Sequence, residues 1–242
     1  MNLLLLPDST TDVLLAADDP RAVHIRKVLR FGVGDRLDVG CLNGPRGKGL
    51  IASDDASGLR LEIAWGKVPP PPAPLVLALG MPRPQTARKI LQEGAALGVA
   101  GLAFFNPDKG EKSYADASLW TDGEARRLLW QGVEQAFSTH LPTLDRHASL
   151  DALIDATPGI HWIALDNYES PAPLHAIEPK SPCGLILGPE RGFSPRERDL
   201  IRSRNIPLAH LGPRILRAET AATVAAAIML SRLGVWESCR EE

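Results

Sequence analysis

The spacing of hydrophobic positions changes near residue 70. Beyond it, apolar runs without alternation recur at Leu75–Gly80 (LVLALG), Gly101–Phe105 (GLAFF), His161–Asp166 (HWIALD), Gly184–Gly188 (GLILG) and Pro207–Gly212 (PLAHLG). Helical spacing marks the stretches 86–97, 118–137, from Ser194 onward, and 218–233. Strands that are apolar at every position must be buried on both faces, and helices between them are what parallel pairing requires. The pattern therefore predicts an α/β domain of about five strands. One helix start is marked in detail by Ser194-Pro195-Arg196-Glu197, with a serine cap, proline at the first helical position and glutamate at the third.

The first seventy residues read differently. Arg36–Cys41 (RLDVGC), Lys48–Ser53 (KGLIAS) and Leu59–Trp65 (LRLEIAW) are short, partly alternating and separated by Gly, Asn, Asp and Ser, which predicts a small β-barrel. Ahead of them Ala22–Phe31 (AVHIRKVLRF) predicts a short helix, and Arg21, Arg26, Lys27 and Arg30 make it basic. Proline supplies no ladder donor, so Pro69–Pro74 (PPPPAP) interrupts both patterns as a stiff spacer. The expected organisation is a β domain over 1–68, a linker over 69–74 and an α/β domain over 75–242.

Composition narrows the chemistry without choosing it. With 27 basic and 29 acidic residues the formal charge is −2, so contact with a nucleic acid must come from a local basic patch. Cys41, Cys183 and Cys239 are far apart and form no CxxC pair, and the histidines show no ligand spacing, so neither a disulfide framework nor a metal site is expected. The leucines of MNLLLLPDST soon meet Pro7 and Asp8, which is too short for a leader or a membrane span, and a cytoplasmic protein is expected. The sequence lacks a phosphate-cradling GxxxxGK[ST], a dinucleotide GxGxxG after a strand, and a GxSxG nucleophile elbow.

What remains sits at strand ends, where ligands of parallel sheets bind. Leu187-Gly188-Pro189 is followed by Glu190-Arg191-Gly192-Phe193, and Leu211-Gly212-Pro213 by Arg214-Ile215-Leu216-Arg217-Ala218-Glu219-Thr220. A residue before proline is held out of the α region, so each turn leaves backbone groups unpaired by the sheet. The plainer readings are that Gly-Pro ends a strand, that Glu219 and Thr220 serve a helix start, and that Arg217 is a surface ion-pair residue.

Together these motifs, LILGPERGFSPRE and LGPRILRAETAA, resemble the paired C-terminal motifs of the RsmE-type family, S-adenosylmethionine-dependent methyltransferases acting on N3 of a uridine in small-subunit (16S) ribosomal RNA. His24–Arg30 (HIRKVLR) is similar to the family's N-terminal basic helix, and Glu134-Gln135 matches a pair in a middle helix. The chain departs from the family's Gly-Pro-Glu-Gly-Gly at Arg191. The resemblance implies a PUA-like N-terminal barrel and a C-terminal SPOUT-type parallel sheet with a deep trefoil knot. It implies a cofactor pocket lined by Leu165, Leu187, Gly188, Pro189, Glu190, Gly192, Leu211, Gly212, Ile215 and Leu216. Arg217 would stabilise the uracil anion and Glu219 would take the proton, while Arg21, Arg26, Lys27, Arg30 and Lys48 would contact RNA phosphates. A homodimer acting on the 30S subunit is implied as well. Two other readings stay open, a SPOUT methyltransferase acting on another RNA position such as a ribose 2′-hydroxyl, and a catalytically silent RNA-binding or assembly factor.

Overall fold

The computed structural model describes residues 3–237, so Cys239 lies outside the described residues. The chain divides into two compact units. The first runs to Pro71 and also takes Val133–Leu141, and the second holds Pro72–Gly132 and the chain from Pro142 onward.

In the first unit the strands β1 (Leu4–Leu6), β2 (Asp12–Leu15), β3 (Arg36–Cys41), β4 (Arg46–Asp55) and β5 (Gly58–Trp65) form a mixed sheet ordered β1-β3-β4-β5-β2. Only β1 and β3 pair in parallel. The leucine run near the N-terminus is thus a strand, every residue of which is buried. Between β2 and β3 the expected helix over 22–31 is two pieces: α1 (Pro20–His24), capped by Asp19, and a π-helical turn over Ile25–Leu29. Arg30 ends the turn at φ 59°. Ala22 and Ile25 face a core of Leu4, Leu6, Leu15, Val39, Ile51 and Leu61. The segment 133–141 is fixed in this unit by polar contacts: Leu5 N donates to Glu134 Oε1 (3.1 Å), Thr139 Oγ1 to the Gly44 carbonyl (2.8 Å), and Leu141 N to Asn43 Oδ1 (3.0 Å).

The second unit holds β6 (Ala73–Gly80), α2 (Pro84–Leu97), β7 (Val99–Phe105), α3 (Glu124–Gln135, whose last turn belongs to the first unit), β8 (Thr143–His147), α4 (Leu150–Ala156), β9 (His161–Leu165), β10 (Ala172–Pro173), β11 (Cys183–Leu187), α5 (Pro195–Ser203), β12 (Leu208–His210) and α6 (Ala218–Arg232). All seven strands are parallel, in the order β10-β12-β9-β11-β6-β7-β8. The central strand β11 is buried at every residue, as expected of a strand covered on both faces. Seven strands replace the expected five or so because β8 and β10 are edge strands with no fully buried residue, which a search for apolar runs passes over. The helix expected over 118–137 begins only at Glu124. Residues 112–116 and 118–120 form 3₁₀ turns, and Gly123 at φ 73° breaks the chain before the helix.

Cys41 and Cys183 are free and buried, and burial pushes the Cys183 thiol up to about 11. Among the described residues no helix is long and apolar enough to cross a membrane.

Candidate active site

Strand register brings the ends of β9, β11 and β6 into one line. Leu187 pairs with Leu165 on one side and with Leu79 on the other, and Leu165 also pairs with Ala209 of β12. The residues that follow these partners leave the sheet on the same edge. There the chain reverses its direction of travel across the sheet: from β6 it passes through β7 to β8, and it later returns to pair β11 on the opposite side of β6. Such a switch point opens a crevice at the carboxyl ends of the strands.

The crevice is a cavity with three walls. Leu165, Asp166, Asn167 and Tyr168 come from the end of β9, Leu187–Glu190 with Gly192 and Phe193 from the end of β11, and Leu211, Arg214, Ile215 and Leu216 from the segment after β12. Ala218 and Ala221 of α6 close it. Of the residues assigned to a cofactor from the sequence, only Gly212 is not on this lining. Its N–H donates to His210 Nδ1 (3.1 Å), which shapes the third wall from behind. A larger groove of about 520 Å³ lies among residues including Asp155, His161 and Arg204, at the start of β9, but no carboxyl end of a strand lines it.

The β11 turn is held from two sides. Gly192 N donates to the Pro189 carbonyl (2.8 Å), and Gly192 adopts φ 68°, a backbone state that residues with a Cβ avoid. Behind the turn, a Cβ on Gly80 would lie 2.8 Å from Pro189 N, so β6 can approach this closely only with glycine at its last position. Arg191 is exposed and does not line the cavity, so the departure from the family pattern adds no side chain to the walls.

Beyond the turn the expected capping box is present. Ser194 Oγ accepts from Glu197 N (3.0 Å), and Ser194 N donates to Glu197 Oε2 (2.7 Å). Glu197 is fully buried, and its second oxygen accepts from Asp108 N (3.1 Å), tying the loop after β7 to α5. Lys109 Nζ adds a bond to the Phe193 carbonyl (3.1 Å). Arg196 then bridges Asp108 through two bonds of 2.8 Å and Asp151 through one of 2.8 Å.

Arg196, with Ser194 also acting on Asp108, holds both aspartates below the usual carboxylate range. Each therefore binds a proton more weakly folded than unfolded. Their stabilisation is complete above the unfolded value of about 3.9 and is lost as the pH falls through the lower folded values. Urea midpoints should accordingly drop below about pH 4, and Arg196→Met should flatten that drop. Equal acid sensitivity of the two proteins would contradict this assignment.

Arg217 and Glu219 stand at the start of α6, outside the lining. Arg217 is the exposed N-cap residue, and its carbonyl accepts from Ala221 N (2.8 Å). Glu219 pairs with Lys89 of α2 (3.3 Å). Its carboxyl is held below the glutamate range first by its own backbone N–H, then by Lys89 and Arg217, against a raising effect of burial. The cavity's own cation is Arg214, which makes no ion pair among the described residues.

On the first unit, Arg26 is bound to Asp54 (2.6 Å at the closest) and to the Ala17 carbonyl (2.7 Å). Arg21 pairs with Asp19 (2.7 Å), and Lys48 with its cross-strand neighbour Asp38 (2.6 Å). Lys27 and Arg30 are exposed, with no acidic partner among the described residues. Asp166, Asn167, Tyr168, Phe193, Arg214, Ala218 and Ala221 were not assigned from sequence. The end of β9 carried no Gly-Pro signal, whereas Arg214 lay inside a motif already singled out.

Among the described residues no group of three or more His, Cys, Asp or Glu could hold a metal ion. A family model described as an RNA methyltransferase domain matches residues 69–230. The chain is 27% identical over 241 residues to ribosomal RNA small subunit methyltransferase E 1 of Borreliella burgdorferi, covering 96% of this chain and 99% of that protein. It is 28% identical to the corresponding methyltransferase E of Treponema pallidum, covering 93% and 87%. In fold it is similar to the methyltransferase E of Neisseria gonorrhoeae solved with S-adenosyl methionine, at a TM-score of 0.81, 19% identity and coverage of 96% and 97%. A Legionella pneumophila methyltransferase solved with its bound cofactor SAM gives 0.80, 21%, 95% and 97%. The chain, whose three strand-end turns meet at one cavity inside the matched region, belongs to the RNA methyltransferase family.

Proposed function

We propose that the chain transfers a methyl group from S-adenosylmethionine to N3 of a uridine in small-subunit (16S) ribosomal RNA, acting on the 30S subunit in the cytoplasm as a homodimer. The observation that carries this reading is the convergence of the turns after β9, β11 and β12 on one cavity. The names of the curated relatives support the choice of RNA.

The lining suits the cofactor chemically. Leu165, Leu187, Leu211, Ile215 and Leu216 offer apolar surface for a purine and for the methylene carbons of the methionine chain, Glu190 an acceptor, and Arg214 a partner for a carboxylate. Bound S-adenosylmethionine supplies an electrophilic methyl group on a sulfonium. The chain must hold the uracil N3 in line with that group and help it lose its proton. Arg217, exposed beside the cavity, is placed in this reading at O2 or O4 to stabilise the developing anion. Glu219, held ionised, accepts the proton through a water or fixes the helix start that presents Arg217.

In the same reading the segments after β11 and β12 thread as a deep trefoil knot, an exception to ordinary chain topology. The stretch 69–74, whose last two residues already open β6, links the catalytic part to a PUA-like RNA-binding barrel. Lys27 and Arg30 give unshared charge to RNA phosphates, and Arg21, Arg26 and Lys48 share theirs with aspartates.

Calorimetry with S-adenosylmethionine tests the cofactor assignment, since saturable binding is expected and its absence removes the reading. Arg217→Ala should lower kcat about a hundredfold or more while the cofactor Kd stays nearly constant. Undiminished turnover would remove Arg217 from the mechanism.

A further inference from the structure

The mouth of the cavity carries an aromatic side chain that the sheet does not need for its core. Tyr168 lines the cavity, yet it is 75% exposed. Its position is nevertheless fixed. Asp166, only 5% exposed, accepts from Tyr168 N (2.6 Å) and Glu169 N (3.2 Å) through one oxygen, which sets the backbone of the turn. The other oxygen accepts from Arg198 Nε (2.7 Å). Arg198, a half-buried residue of α5, places its guanidinium carbon 5.5 Å from the centroid of the Tyr168 ring.

The ring also stands close to the second wall. A Cβ on Gly192 would lie 3.8 Å from Tyr168 Cε2 and 3.9 Å from Arg198 Nη2. A guanidinium stacked on an aromatic ring stiffens it and leaves a face for another planar group. Asp166 fixes both members of the pair at once, the tyrosine through its backbone and the arginine through its side chain.

We infer that Tyr168, backed by Arg198, is a stacking platform for a nucleobase at the mouth of the cavity, with Asp166 and Arg198 as its positioning residues. The inference rests on the reading of the cavity as the site of RNA methyl transfer. That reaction brings two nucleobases to the site, the cofactor's adenine and a base of the RNA, and both present the flat π face that stacking needs. Removing an aromatic platform under one base weakens binding by about tenfold or more.

The test measures, on the full chain, the Kd for S-adenosylhomocysteine without RNA and the KM for small subunits at saturating S-adenosylmethionine. Tyr168→Ala should raise one of these constants by about tenfold, and Tyr168→Phe should restore it. A raised Kd identifies the adenine, and a raised KM with unchanged Kd identifies an RNA base. Arg198→Lys keeps the charge but loses the planar stack. It should move the same constant and add little to Tyr168→Ala in the double variant, whereas a merely structural role would add independently. If Tyr168→Ala leaves both constants unchanged, or Tyr168→Leu restores them as well as Tyr168→Phe does, the stacking role is overturned while the methyltransferase reading stands. A wild-type chain that binds no S-adenosylhomocysteine overturns both.

Discussion

Replacing Gly80 by alanine is expected to lower kcat/KM for methyl transfer about a hundredfold while the far-UV circular dichroism stays that of the parent. The added Cβ would lie 2.8 Å from Pro189 N, 2.9 Å from Pro189 Cδ and 3.4 Å from the Gly188 carbonyl carbon. Those neighbours belong to a tight turn with no flexible end to swing aside, so the turn itself must move. Overpacking of this kind costs about 1–3 kcal/mol, which a domain can survive. The catalytic geometry is less tolerant, because a displacement of about 1 Å in a positioning wall can cost a factor of about a hundred. Gly159→Ala is the control, since no atom stands within 4 Å of a Cβ there. Parental kinetics in Gly80→Ala would show that the Gly188–Gly192 turn is not a wall of the working site.

Glu197→Ala should lower stability by about 3 kcal/mol in urea denaturation, a large loss for one residue. The buried carboxylate accepts the N–H groups of Ser194 and Asp108, and both donors would be left without that partner. An unsatisfied buried donor costs about 1–3 kcal/mol, and the alanine also removes half of the capping box. Glu197→Gln keeps the shape and one acceptor oxygen, so a loss of about 1–2 kcal/mol is expected there. If Glu197→Ala matched the parent, the bridge between the β7 loop and α5 would have no energetic weight. Phe193, which lines the cavity just before Ser194, would then need another support.

Much of this architecture is legible in the sequence because its elements follow local rules. Ser194, Pro195 and Glu197 state a helix start that needs no long-range information, and the structure forms both bonds of the box. Runs such as Leu185-Ile186-Leu187 announce strands buried on both faces. Where long-range pairing decides, the sequence is silent. Thr143–His147 is a polar strand that exists because β7 offers it a ladder at the sheet edge. The leucines near the N-terminus become a strand by pairing with Val39–Cys41. The turn at Ile25–Leu29 widens to π geometry for which no spacing rule gave warning.

The candidate site divides in the same way. The Gly-Pro pairs marked two of its walls because proline and glycine constrain the chain locally. That these walls meet is a matter of register, Leu187 beside Leu165 and Leu165 beside Ala209, which no motif states. The basic helix shows the limit for side chains: Asp54 claims Arg26 from 28 residues away, while Lys27 next to it stays exposed.

The central claim is that the cavity formed by these three turns directs a methyl group to the N3 position of a uridine. Small ribosomal subunits lacking the modification, incubated with the purified chain and S-adenosylmethionine carrying a labelled methyl group, provide the direct measurement, with the nucleosides then separated and identified by mass spectrometry. Label in N3-methyluridine, lost in Arg217→Ala, is the predicted result. Label on a ribose 2′-hydroxyl, on another base, or on no nucleoside would contradict it.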